Sequence, residues 1–326
     1  MSVLVTGGAG YIGGFVTREL RRQGHDVVVV DDLSTGTREA VGDAELAVFD
    51  VGDGPRLRSI MRDRDVDAVI HLAALKSVAE SWVDPAGYLD VNVGKTIALL
   101  AAMRDADVGI LIYSSSCSIY GDASTLPVDE SLPAAPMNPY AQSKWLAEQA
   151  IAMAATNGGL RHASLRYFNA AGAEFDGGIG EPLKGSVNLV PMVMKAALGL
   201  EPAIVIYGTD YPTPDGTAIR DYIHVKDLAD AHVRALDYLR ADGSSIVLNL
   251  GTGSGTSVRD LVGAAELASG RPIPVTLAPR RQGDPAALWA ANELARRTLG
   301  WAPRYGLEEI VASAWRWHAR AHAPAS

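Results

Sequence analysis

Cysteine is almost missing from the 326 residues: Cys117 stands alone, so no internal disulfide can form. A single thiol fits a reducing compartment. Long apolar runs are missing too, and none approaches the ~20 residues that a membrane span needs. Positive charge is in short supply. With 29 Lys and Arg against 38 Asp and Glu, the net charge is −9, which argues against a nucleic-acid partner. No basic stretch precedes Val3-Leu4-Val5, so a signal peptide is not expected and the protein is read as cytoplasmic. Neither an internal repeat nor a low-complexity linker interrupts the chain. What remains, 48% hydrophobic and 21% charged residues, is the profile of a globular protein with a full core.

Short β-branched runs alternate with helical patterns through the first half. Strands are expected over 3–6, 27–31, 46–49, 68–72, 110–114 and 163–167, and helices over 11–23, 55–64, 85–104 and 139–156. Gly24 and Gly158 stand where two of those helices should end. The strands are nearly continuous apolar runs, as in a parallel sheet covered on both faces. The expectation is an α/β fold with a doubly wound parallel sheet of the Rossmann type. Beyond residue 170 the rhythm loosens. Loops are expected over 173–184 and 207–220, and helices near 189–198, 225–240, 258–269 and 307–319. Residues 1–170 are read as the sheet domain and 171–326 as a smaller mixed α/β substrate-binding domain, with some chain crossing back to the sheet.

Gly7, Gly10 and Gly13 follow the first strand and open the first helix. Glycine at these points permits a tight turn and lets the backbone approach a pyrophosphate at the helix N-terminus. The competing reading, an ordinary strand-to-helix turn, is weakened by Asp31 at the end of the second strand. A carboxylate there can accept hydrogen bonds from adenosine ribose hydroxyls and repels a 2′-phosphate, which favours NAD over NADP. Two further patterns carry no site. Gly94-Lys95-Thr96 resembles the end of a phosphate-binding loop, but residue 89 is leucine and no strand precedes it. His224 and His232 are too far apart for an i, i+4 metal pair, so no metal is expected.

The fifth strand runs into Ser114-Ser115-Ser116, and Asn138-Pro139 announces a helix that begins with Tyr140-Ala141-Gln142-Ser143-Lys144. Tyr140 and Lys144 stack one turn apart on one face. Such a pair recurs by chance on many surface helices. After a dinucleotide turn and a strand-terminal serine, it reads as a hydride-transfer site, with Tyr140 as acid and base. A phenol can do this only if its pKa falls toward neutrality, a shift expected from the Lys144 ammonium and a positive nicotinamide.

Here the chain resembles the extended short-chain dehydrogenase/reductase family, and within it the UDP-hexose epimerases, almost from end to end. The wider family is marked by Val5–Gly13, Ser114–Gly121 and Tyr140–Lys144. The epimerases are marked by Arg166–Asn169, Asp210–Thr217, Arg220–Val225 and Pro279–Asp284. The resemblance implies NAD contacts from the glycine turn, Tyr11, Ile12, Asp31, Asp50, Val51, Leu72, Ala73, Ala74, Lys76, Asn92, Lys144 and Phe168. Ser116, Tyr140 and Asn169 would face the hexose. Asn188, Leu189, Val205, Ile206, Tyr207, Arg220, Arg281 and Asp284 would hold the UDP, and Leu288 would line the sugar pocket. It also implies inversion at C4 of a UDP-sugar, UDP-glucose to UDP-galactose, and a homodimer built on the 85–104 and 139–156 helices through Ile97, Leu100 and Leu146. Other UDP-sugars and a non-catalytic NAD-sensing role are the alternatives. Two positions depart from the family pattern. Lys95 replaces the usual glycine, which is expected to disturb helix packing more than chemistry, and Leu288 stands where tyrosine or a small residue is common.

Overall fold

A computed structural model describes residues 1–157, 159–183, 185–281 and 283–322, so the helix-ending role expected of Gly158 lies outside the described residues. The first half runs β1 (Ser2–Thr6), α1 (Tyr11–Arg22), β2 (Asp26–Asp31), α2 (Arg38–Val41), β3 (Glu45–Val48), α3 (Gly54–Asp63), β4 (Val66–His71), α4 (Val78–Val83), α5 (Pro85–Leu89), α6 (Lys95–Asp105), β5 (Ile110–Ser116), α7 (Pro139–Ala155) and β6 (Arg161–Tyr167). The second half runs β7 (Asn169–Ala171), α8 (Leu189–Ala197), β8 (Ile204–Tyr207), β9 (Ile219–Arg220), β10 (Tyr222–His224), α9 (Val225–Arg240) and β11 (Ile246–Leu250). It continues with β12 (Thr256–Ser257), α10 (Val258–Ser269), β13 (Val275–Ala278), β14 (Ala287–Leu288), α11 (Glu293–Leu299) and α12 (Leu307–Ala321).

Seven strands form one sheet in the order β11-β6-β5-β4-β1-β2-β3, and every pairing in it is parallel. Alternation along each strand sends residues to opposite faces. Val3, Val5, Val27 and Val29 pack with α1 and α9, whereas Leu4, Val28 and Val30 pack with α3, α6 and α7. Both faces are dry, which is why the strands read as unbroken apolar runs. The strand order reverses between β1 and β4, so a crevice opens at their carboxyl ends. The seventh strand and α9 come from beyond residue 170, so the sheet is completed by the second half of the chain. A separate apolar core joins α8, α10 and α12.

The helix expected over 85–104 is not continuous. A π turn at Asp90–Gly94 separates α5 from α6. The extra residue swings Asn92 inward, where it is 2% exposed and its amide is fully engaged. It accepts from Leu75 N at 2.8 Å and donates to Leu75 O at 3.0 Å and Ser143 Oγ at 2.9 Å. The short helix α4, just before it, gave no periodic signal of its own. Among the described residues, no helix is long and apolar enough to cross a membrane.

Candidate active site

Bare backbone closes the crevice between β1 and β4. Gly7 sits at φ +71°, and a Cβ on it would lie 2.5 Å from Ala73 N. A Cβ on Gly13 would lie 2.0 Å from Gly7 O. Side chains are excluded at both points, while α1 carries no acidic residue in its first turn, leaving its N-terminal N–H groups and dipole for an anion. Asp31 is 9% exposed and braces this turn: it accepts from Ala9 N and from Leu33 N, each at 2.9 Å. Burial pushes its carboxyl above the ordinary range, against those two hydrogen bonds. The residues therefore fit a dinucleotide. Leu72, Ala73 and Ala74 form the facing loop after β4, with Leu72 N donating to Thr6 O at 3.0 Å. Ile12 packs on the core, as do Val51 and Phe168, which are 8% and 4% exposed.

Lys95, expected to disturb helix packing, instead forms an ion pair. Its Nζ donates to Asp50 Oδ2 at 2.6 Å, while Asp50 Oδ1 accepts from Gly52 N at 2.7 Å. The ion pair holds the Asp50 carboxyl below its usual range. Lys95 thus acts on the polar rim of the crevice rather than inside the helix packing.

The catalytic candidates meet at the carboxyl end of β5. Ser116 ends the strand, and its Oγ accepts from Ser118 N at 3.2 Å. The helix α7 starts where expected: Asn138 Oδ1 accepts from Ala141 N at 2.8 Å, and Pro139 takes the first helical position. Tyr140 then lies edge-on to Tyr88, with ring centroids 6.4 Å apart. Lys144 is 4% exposed, donates to Ser114 O at 2.8 Å and stands 5.1 Å above the Tyr113 ring. The expectation of a depressed phenol is corrected for the chain's own groups. Burial pushes Tyr140 up and the nearby Tyr167 adds to this, outweighing the Ser116 hydroxyl that favours the phenolate. Burial also draws the Lys144 ammonium down to about 7, with Glu148 opposing. Desolvation dominates at Tyr140, so the phenol needs a nearby positive charge to ionise near neutrality.

Sequence reading missed the support behind this pair. Glu148, one turn beyond Lys144 on the same helix face, is 4% exposed and pairs with the 5% exposed Arg166 at 2.6 Å. It also accepts from the Ser115 hydroxyl. Arg166 in turn donates to Tyr120 Oη at 2.9 Å, and Tyr120 to Asn249 Oδ1 at 2.8 Å. A charged residue on the buried face of a helix was the available signal.

The second half of the chain supplies the other wall. Arg220 Nη2 lies 3.9 Å from Asp284 Oδ1, and the Arg281 guanidinium lies 3.7 Å from the centroid of the Tyr207 ring. Along β8, Tyr207 is exposed and Val205 partly so, while Ile206 between them is 2% exposed. Asn169 Nδ2 donates to Asp221 O at 2.9 Å, and Asn188 and Leu189 open α8. Leu288, in register with Arg220, is 4% exposed among Ile119, Tyr120, Val128 and Phe168. Its volume is therefore set by core packing as much as by the cleft. His224 and His232 are fully buried. His224 Nδ1 accepts from Lys226 N at 3.1 Å, and His232 Nδ1 meets Leu228 O at 2.8 Å. Among the described residues, no three His, Cys, Asp or Glu side chains gather as a metal would require.

A doubly wound sheet with a glycine turn at its switch point, and serine, tyrosine and lysine at the next carboxyl edge, is the arrangement of a dinucleotide-binding scaffold. The chain belongs to the NAD dependent epimerase/dehydratase family, whose model matches residues 3–251. It is 46% identical over 319 residues to the UDP-glucose 4-epimerase of Rhizobium meliloti (strain 1021), covering 98% of this chain and 97% of that protein. Among solved structures, it is similar to the UDP-glucose 4-epimerase of Stenotrophomonas maltophila with bound NAD and formylated UDP-arabinopyranose. That match has a TM-score of 0.96 and 45% identity, covering 99% of this chain and 100% of that one. The Bifidobacterium longum UDP-glucose 4-epimerase in complex with NAD+ and UDP matches with a TM-score of 0.93 and 38% identity, covering 98% of each chain.

Proposed function

We propose that this protein is an NAD-dependent epimerase that inverts C4 of a UDP-hexose, interconverting UDP-glucose and UDP-galactose. The observation that carries the reading is that Tyr140 and Lys144, at the start of α7, sit against the end of β5, where Lys144 donates to Ser114 O and the Ser116 hydroxyl favours the Tyr140 phenolate. When bound, NAD supplies a hydride acceptor that becomes the donor of the return step, and its positive ring is the charge that Tyr140 needs. Tyr140 takes the proton from the sugar 4-hydroxyl, and Ser116 orients that oxygen. Arg220 and Arg281 suit a diphosphate, and Asp284 suits a ribose. An anchored diphosphate leaves the sugar free to turn, so Tyr140 can return the proton after the opposite face has been presented. Asp31, close against the turn, favours NAD over NADP. Support also comes from the relatives named UDP-glucose 4-epimerase, which match nearly the whole chain.

A homodimer fits the apolar side chains left exposed on α5, α6 and α7: Leu89, Ile97, Leu146 and Met153. Leu100, expected with them, instead packs against the core beneath α6. Purified protein incubated with UDP-glucose should form UDP-galactose without added reductant, read by a coupled galactose-specific assay. Absence of UDP-galactose from NAD-loaded protein would sink the reading.

A further inference from the structure

We propose that Glu181 is a positioning residue that sets one side chain for the cofactor and one for the substrate, Lys76 and Asn188, on a single carboxylate oxygen. The inference rests on the function proposed above and deepens it. Glu181 lies in the 173–184 segment, expected to be a loop, yet it is 4% exposed. Its Oε1 accepts from Lys76 Nζ at 3.1 Å, from Asn188 Nδ2 at 2.7 Å and from Ser186 Oγ at 2.9 Å. Lys76 comes from the loop after β4 and Asn188 from the start of α8, so the carboxylate joins a segment of each half of the chain. It also faces Tyr11, whose phenol it pushes up beyond the effect of burial. Oε2 is buried and has no hydrogen-bond partner among the described residues.

A buried carboxylate is a costly way to close a loop, since an amide accepts the same hydrogen bonds without desolvating a charge. The charge here is matched by the ammonium of Lys76, a long side chain that is half exposed even when paired. With its Nδ2 held, Asn188 keeps its Oδ1 available to a ligand. Both side chains are ordered before either ligand arrives, which lowers the entropy lost on binding.

The test uses the full-length protein with two readouts, affinity for NAD and affinity for UDP on the NAD-loaded enzyme. Glu181→Ala should weaken each about 3- to 10-fold, the effect of freeing one long side chain. Combined with Lys76→Met for NAD, or with Asn188→Ala for UDP, it should add less than twofold to the partner variant's loss. Glu181→Gln keeps the acceptor for Asn188 but not the charge for Lys76. It should weaken NAD alone, and it covers the case where the alanine variant does not fold. Losses that multiply in the double variants, or a glutamine variant that weakens both ligands equally, would overturn the proposal. A wild type that binds neither ligand would overturn the proposed function as well, and this is seen before any variant is made.

Discussion

At the scale of single residues, Tyr140 and Lys144 are shaped by burial more than by each other. Because Tyr140 is the proton carrier in the proposed reaction, Tyr140→Phe should lower turnover about 10²- to 10⁴-fold. Cofactor binding should persist, and near-full turnover would remove Tyr140 from the mechanism. Lys144 gives a pH signature of its own. Its pKa falls from 10.5 to about 7 on folding, so between these values the unfolded chain carries a proton that the folded chain has lost. Stability of the cofactor-free protein should therefore rise with pH from about 7, by about 1.4 kcal/mol per unit for one proton. The Cys117 thiol, which burial raises from 9.0 to about 12, opposes this trend only above pH 9. Urea titrations at pH 7, 8 and 9 measure the slope, and Lys144→Met should flatten it. An unchanged slope in that variant would place the proton elsewhere.

At the scale of elements, α7 is held by charge as well as by apolar packing. The Glu148–Arg166 pair ties it to β6, and the Ser115 bond ties it to β5, so the helix that carries Tyr140 and Lys144 is locked over the strand that carries Ser116. Glu148→Ala would leave Arg166 buried without its counter-charge, a loss of about 3–5 kcal/mol. Denaturant unfolding should show that loss, and a change below about 1 kcal/mol would mean Arg166 finds water or another partner. The π turn before α6 is the other element that matters here. It sends Asn92 to Leu75 and Ser143, coupling the loop after β4 to α7.

At the scale of the whole molecule, the sheet domain is not a contiguous half of the chain. β11 pairs with β6, and α9 covers the face that α1 leaves open, burying Leu228, Val233, Leu236, Leu239, Leu248 and Leu250. A fragment ending at residue 170 would expose the apolar surfaces these residues cover, together with an unpaired strand edge. It should aggregate or lack a cooperative thermal transition by circular dichroism. A soluble fragment with a sharp transition would show that the first six strands suffice. The long return is also tied together by one buried carboxylate: Asp221, between β9 and β10, accepts from Thr252 N, Gly253 N and Ala290 N, joining this segment to the 251–254 turn and to the residues after β14.

The local elements were legible because their signals are local. β-branched runs, the Asn138-Pro139 helix start and the glycine turn act through short-range sterics and hydrogen bonding, so Ser116, Tyr140, Lys144 and Asp31 could be picked out along the chain. What the sequence could not reveal depends on residues far apart in it. Glu181 became a shared acceptor only when the loop after β4 met the start of α8, and Lys95 found Asp50 only when the start of α6 lay near the segment after β3. The direction in which Tyr140 and Lys144 titrate was likewise decided by tertiary burial, because desolvation is a property of the surroundings and not of the spacing between the two residues.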